Sequence, residues 1–254
     1  MALPAEHGGW GFLVEPAVLG LVLAPSAAGL CLALAALAAF LARHPLRLAL
    51  VDRRKSVRYP RTALAERVFA AYAGATLALA AAALALAASP FWLPLAVAAP
   101  IGLVALAFDA RGRSREALPE AAGAVALGAS AAAIALAGGA PAASAWGAWA
   151  LLALRAVTSV LYVRARMRLD RGLAAGPRAV HAGHAAALAA ATGLASLGWA
   201  PWLAPVVFFV LLARSGWGLS RWRRPVRPQT LGFQELGYGL LTLALLVIGY
   251  RLGP

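Results

Sequence analysis

Cysteine is almost missing from this chain: Cys31 stands alone inside an apolar run, which excludes an internal disulfide and a cysteine-rich metal site. Charge is scarce too, at 13% of residues against 63% hydrophobic, too little to cover a soluble globule of 254 residues. That composition belongs to a membrane protein. Lysine is represented only by Lys55 beside 22 arginines, and with alanine and glycine so abundant this reads as genome composition bias. Acids are few, and the formal net charge of +14 would suggest nucleic acid in a soluble protein. Here the basic residues lie in short loops between apolar spans, where the positive-inside bias accounts for them, and no nucleic-acid partner is expected. The opening MALPAEHGGW lacks a basic n-region and a small-residue cleavage pattern, so the first helix is expected to be retained.

What the chain does have is long apolar runs. A helix needs about 20 apolar residues to cross the hydrocarbon core, fewer inside a bundle. On that rule the sequence predicts nine spans, at 12–24, 26–42, 68–88, 91–108, 117–137, 145–163, 179–198, 201–219 and 231–251. The first carries Pro16 and is expected to be kinked or short. Turn residues separate the pairs at Pro25-Ser26, Ser89-Pro90, Gly138 to Pro141 and Gly198 to Pro201. The expected fold is an all-α, polytopic membrane bundle forming one transmembrane domain over residues 1–254.

Charge tests this parse. The loops after spans two, four, six and eight, with their helix ends and Arg155, hold 22 of the 23 basic residues, and the four intervening turns hold none. The expected topology therefore has a cytoplasmic N-terminus and an external C-terminus, in the plasma (inner) membrane. All nine acids and all four histidines also map to the cytoplasmic ends, which charge bias alone does not require. That excess predicts a polar chamber on the cytoplasmic side.

Several residues are candidates for its lining. The stretch Arg43 to Glu66 reads as a charged loop packed with Arg43, Arg47, Arg53, Arg54, Lys55, Arg58 and Arg61 around Asp52, either a topology signal or one wall of a site. Arg155 lies nine positions before Arg164, on the order of 13 Å deeper along span six. Arg155, Thr158, Ser159, Tyr162 and Arg166 share one helical face, a polar stripe running into the bundle. Arg155 serves either a ligand or a structural ion pair, with Glu15 of span one as the expected partner. Glu6-His7-Gly8-Gly9-Trp10-Gly11 offers an acid–base pair beside backbone that a ligand can approach, or else an interfacial cap built on Trp10. His181 and His184 share a face of span seven, either as half of a zinc site or as hydrogen-bonded residues of an interfacial turn. The clusters Arg111 to Arg115 and Arg221 to Arg227 are explained by topology and by anionic lipid. Glu120 and Glu235 either face the chamber or favour their helix N-termini.

The segments PAEHGGWGFLVEP (Pro4 to Pro16), ARHPLRLALVDRR (Ala42 to Arg54) and YPRTALAER (Tyr59 to Arg67) resemble the YwiC-like family of bacterial membrane proteins. That resemblance implies a multi-pass membrane protein and brings no reaction with it. A more remote likeness is to the UbiA superfamily of intramembrane prenyltransferases, which implies nine helices, an internal repeat and aspartate-rich motifs at the cytoplasmic ends of helices two and six. The order of elements is similar, including the link FDARGRSREALPEAAG (Phe108 to Gly123) before span five. Where that superfamily places Asn-Asp-x-x-Asp to hold magnesium, this chain has Arg43-His44-Pro45-Leu46-Arg47, and its second motif position carries Arg164, Arg166, Arg168 and Asp170. Arginine supplies no oxygen ligands, so no metal site, no cofactor and no Mg²⁺ are expected.

Together these features predict a chamber that binds an amphipathic anion, an isoprenoid or other lipid. Arg43, Arg47, Arg155, Tyr162, Arg164 and Arg168 would meet its head, Asp52 or the Glu6–His7 pair would act as base, and Trp10, Glu15, His44, Arg58, Asp109, Asp170, His181, His184 and Glu235 would line the walls. The enzymatic version is a metal-independent UbiA-like transferase. The alternatives are a non-enzymatic lipid- or quinone-binding subunit and a small-anion transporter, with the bilayer and its anionic lipids as partner in every case.

Overall fold

A computed structural model describes residues 9–54, 59–113 and 116–253. Among these, nine α-helices follow in order: α1 (Gly9–Leu23), α2 (Ala27–Arg54), α3 (Pro60–Leu86), α4 (Trp92–Ala110), α5 (Ala117–Ala137), α6 (Ala142–Asp170), α7 (Pro177–Ser196), α8 (Ala204–Gly218) and α9 (Pro228–Leu252). No strand occurs among the described residues. Helices α2, α3, α4, α5, α6 and α9 are long and apolar enough to cross a membrane, and α1 and α8 are shorter apolar helices. Helix α7 carries Arg178, His181 and His184 in its first half and falls in neither group. The protein is a multi-pass helical membrane protein.

Nearly all of the charged stretch that is described is helical. Helix α2 runs on through Pro45 to Arg54, and α3 opens at Pro60, eight residues before its expected start. Leucine, alanine and arginine all favour helix, and arginine stems lie along an apolar helix surface while their heads reach water. Proline suits the first turn of α3, where its missing N–H has no helical acceptor to lose. The Tyr59 N–H donates to Thr62 Oγ1 at 3.1 Å, and Thr62 in turn donates to Asp52 Oδ2 at 2.8 Å, tying the two helix ends together. With 28 residues α2 is about 42 Å long, well over the roughly 30 Å hydrocarbon thickness, so its basic end projects past the apolar slab.

Helix α5 packs on α4, α6, α1 and α2, while α3 packs chiefly on α2. Its buried run from Ala131 to Ala137 is alanine apart from Ile134 and Leu136, and such small side chains let neighbouring helices approach closely. On the other side of α5, helices α1, α6, α7, α8 and α9 pack neighbour to neighbour into a ring. The ring's interior near its uncharged end is closed by Leu19, Leu151, Phe208, Leu211 and Leu246. The uncharged turns meet there: the Ala88 N–H donates to Ala137 O at 2.9 Å, Ser89 Oγ to Leu136 O at 2.6 Å, and Tyr250 Oη to Ser144 O at 3.3 Å. Gly147 of α6 sits so close to the carbonyl of Trp199, in the α7–α8 turn, that a Cβ there would collide with it.

Candidate functional site

At the charged end each described carboxylate is held by a guanidinium. Arg43 on α2 reaches Asp109 on α4 at 2.5 Å, Arg53 reaches Glu66 at 2.8 Å, Arg61 reaches the buried Asp52 at 3.0 Å, and Arg164 on α6 reaches Glu120 on α5 at 2.8 Å. Arg113 pairs with Glu116, and Asp170 holds both Arg166 at 3.0 Å and Arg223 at 3.3 Å. With Glu15–Arg155 and Glu235–Arg214, every acid among the described residues is paired with an arginine. This pairing is the physical reason why the acids share an end with the basic residues. Among the described residues no three of His, Cys, Asp and Glu gather as a metal-binding group.

These pairs separate the residues that the sequence groups together. Arg43 and Arg164 are engaged by carboxylates of neighbouring helices, Arg47 is exposed on α2, and the exposed Arg168 donates to Ala174 O at 2.8 Å in the turn that follows α6. None of these contacts involves Arg155, whose partners lie on other helices. Asp52 is buried against Thr62 and Arg61 at the α2–α3 tip, with its oxygens in structural use. Trp10 packs edge-to-face on Phe40 of α2 with ring centroids 5.4 Å apart, and His44 is half-buried on α2. Asp170 staples the α8–α9 link to the end of α6: Arg166 donates to it and to the carbonyls of Gly218 and Arg224, while Arg223 donates to Leu169 O at 2.9 Å. Glu6, His7 and Arg58 lie outside the described residues.

What the fold does bring together lies inside the ring. Arg155 on α6 and Glu15 on α1, 4% and 6% exposed, form the expected ion pair at 2.7 Å. Beside it Glu235 on α9 accepts two bonds from Arg214 Nη1 on α8, at 2.6 and 2.8 Å, and its backbone carbonyl lies 3.4 Å from Arg155 Nη2. The Arg214 guanidinium stands over the rings of Tyr162 at 4.1 Å and Tyr238 at 4.9 Å, so two aromatic faces share the work of holding a desolvated cation. Gly239 allows this assembly: a Cβ there would meet Glu15 Oε1 and, at 2.7 Å, Arg155 Nη2. Helix α9 can close on the ion pair only because that side chain is missing.

The two histidines of α7 have separate partners. His181 Nδ1 lies 3.1 Å from Ser215 Oγ, and His184 Nδ1 lies 2.9 Å from the Val180 carbonyl. The His184 ring stands edge-on to Tyr162 with centroids 6.5 Å apart. Several buried polar atoms of the ring have no partner among the described residues: Arg155 Nε, Arg214 Nε and Nη2, Ser159 Oγ and His184 Nε2.

Arg214 is the residue that a sequence reading misses. It belongs by position to the basic end of span eight, yet it follows the unbroken apolar run VVFFVLLA, and an ionisable group after such a run is a candidate for depth. Tyr238 and Ser215 become visible as site residues only once Arg214 is seen to turn inward.

No curated protein and no solved structure matches the chain. The model of the family described as YwiC-like protein matches residues 3–135, which reach from the N-terminal segment almost to the end of α5 and thus include Glu15, while the ring's remaining polar residues lie beyond the match. Since that match covers just over half of the chain, the protein belongs to the YwiC-like family.

Proposed function

We propose that the ring of α1 and α6 to α9 binds the oxygen-bearing head of an amphipathic ligand, an isoprenoid, quinone or anionic lipid, whose tail lies between the apolar helices. The observation that carries this reading is the set of buried donors without acceptors: Arg155 Nε, Arg214 Nε and Nη2, and Ser159 Oγ. A buried donor left unsatisfied costs about 1–3 kcal/mol, and ligand oxygens would remove that cost. The head ligands are then Arg155, Arg214, Tyr162 and Ser159, in place of Arg43, Arg47, Arg164 and Arg168. Arg155 and Arg214 are each matched by a carboxylate, so little positive charge is left inside the ring to neutralise a departing diphosphate. That balance favours a lipid- or quinone-binding subunit or a transporter over the transferase that the UbiA likeness implies.

A mass spectrum of lipids extracted from the purified protein tests the reading. An amphiphile should co-purify with wild type and fall about tenfold in Ser159→Ala, which deletes one donor and no charge. A protein that carries no amphiphile and binds neither dodecyl phosphate nor a short-chain quinone would sink it.

The same reading places the charged end in the cytoplasm, with the N-terminus inside and the C-terminus outside the plasma membrane. A reporter fused after residue 113 should report the cytoplasm, and one fused after Pro254 the exterior. A shared compartment for the two would overturn the proposed orientation.

A further inference from the structure

The unpartnered atoms of the ring differ in kind. His184 Nδ1 faces the Val180 carbonyl, which only accepts, so in the neutral imidazole Nδ1 carries the proton and Nε2 presents a lone pair. That nitrogen has no partner among the described residues, and His184 is 1% exposed. The ring thus offers a buried nitrogen that can only accept, among several buried donors. The charged and titratable groups around it are His181 on its own helix, Tyr162 and Arg155 on α6, Arg214 on α8, Glu235 and Tyr238 on α9, and Glu15 on α1. Its two carboxylates and two guanidiniums cancel. A head that arrives already ionised would leave this buried site with uncompensated negative charge, which is costly away from water. A head bearing a hydroxyl brings no net charge, donates to Nε2 and accepts from the free donors.

We propose that His184 Nε2 is the proton acceptor of the ring and that the ligand class it selects is an amphiphile with an acidic hydroxyl on its head, a phenol or reduced quinone. This rests on the ligand site proposed above. In the step itself the ligand O–H bond breaks, its proton forms a new N–H bond on Nε2, and the electron pair stays on oxygen. The products are an imidazolium and an oxyanion, so the ring's total charge is unchanged. Arg214 Nε–H and Nη2–H and the Ser159 hydroxyl are the donors available to that oxyanion.

The experiment uses the full chain in detergent with two probes, 4-dodecyl-2-nitrophenol and its methyl ether, below the pH at which the free phenol ionises. Wild type is expected to bind the phenol at least tenfold more tightly than the ether and to turn the bound probe to its coloured phenolate form. His184→Gln is expected to abolish the colour and to weaken phenol binding about tenfold, with little change for the ether. Equal binding of phenol and ether, bound phenol that stays colourless, or colour that persists in His184→Gln would overturn the inference while leaving a ligand site in place. Failure of both probes and of dodecyl phosphate to bind would instead overturn the ligand site. If His184→Gln shows no cooperative melting transition, the comparison of phenol with ether and the colour on wild type decide the matter without it.

Discussion

Replacing Arg155 by alanine should lower the melting temperature of the detergent-solubilised protein by on the order of 10 °C, since breaking a buried pair costs roughly 3–5 kcal/mol. The loss follows from what remains. Glu15 would stay 6% exposed, with Gly239 of α9 packed against it and no other guanidinium bonded to it among the described residues. Arg155→Lys should recover only part of the loss, because an ammonium restores the charge without the planar fork that reaches both Glu15 and the Glu235 carbonyl. Removing both charges, as Glu15→Gln with Arg155→Met, should cost much less than the sum of the single changes. Additive losses, or an unchanged melting temperature for Arg155→Ala, would show that the two side chains do not depend on each other.

The second large effect is expected at Gly147. An alanine there would drive its Cβ into the carbonyl of Trp199, and a backbone atom in a tight turn cannot swing aside as a side-chain end can. Helix α6 must move away from the α7–α8 turn, so Gly147→Ala should destabilise by about 1–3 kcal/mol or more, and Gly147→Leu further still. Because α6 carries Arg155, Ser159 and Tyr162, ligand retention should fall along with stability. Gly74 on α3 is the control: nothing lies near its missing side chain, and Gly74→Ala should be neutral or stabilising by up to about 1 kcal/mol through helix propensity. Equal melting temperatures for Gly147→Ala and Gly74→Ala would contradict the packing described.

The sequence makes the ends of this bundle legible and the interior much less so. Charge alternates between turns because it resists burial in lipid, and the same cost makes Arg155 and Glu15 conspicuous as a pair, each inside an apolar run. Arg43 and Arg47 mislead for the opposite reason. Beyond the hydrocarbon slab a basic segment can stay helical or not without changing its composition, and only packing against α3 decides that α2 continues to Arg54. Arg214 is hidden because a long side chain near a helix end looks the same in sequence whether it reaches for water or folds back over Tyr162 and Tyr238. The carboxylate partners Asp109 and Glu120 are equally illegible, since nothing local to either residue specifies which arginine of another helix it will meet.

The brevity of α8 reaches beyond the protein itself. With 15 residues it is about 22 Å long, and the exposed Trp202 and Trp217 mark its two ends at roughly that separation. Indole rings seek the boundary between acyl chains and headgroups, so the lipid against α8 is drawn down to this span while lipid against α2 and α3 keeps its ordinary thickness. The protein therefore carries a hydrophobic mismatch on the flank of α8, and the resulting dimple brings the headgroup layer several ångströms nearer to the level of Arg214. An amphiphile approaching sideways would meet its lowest barrier beside α8, and thicker bilayers should slow its entry from that side.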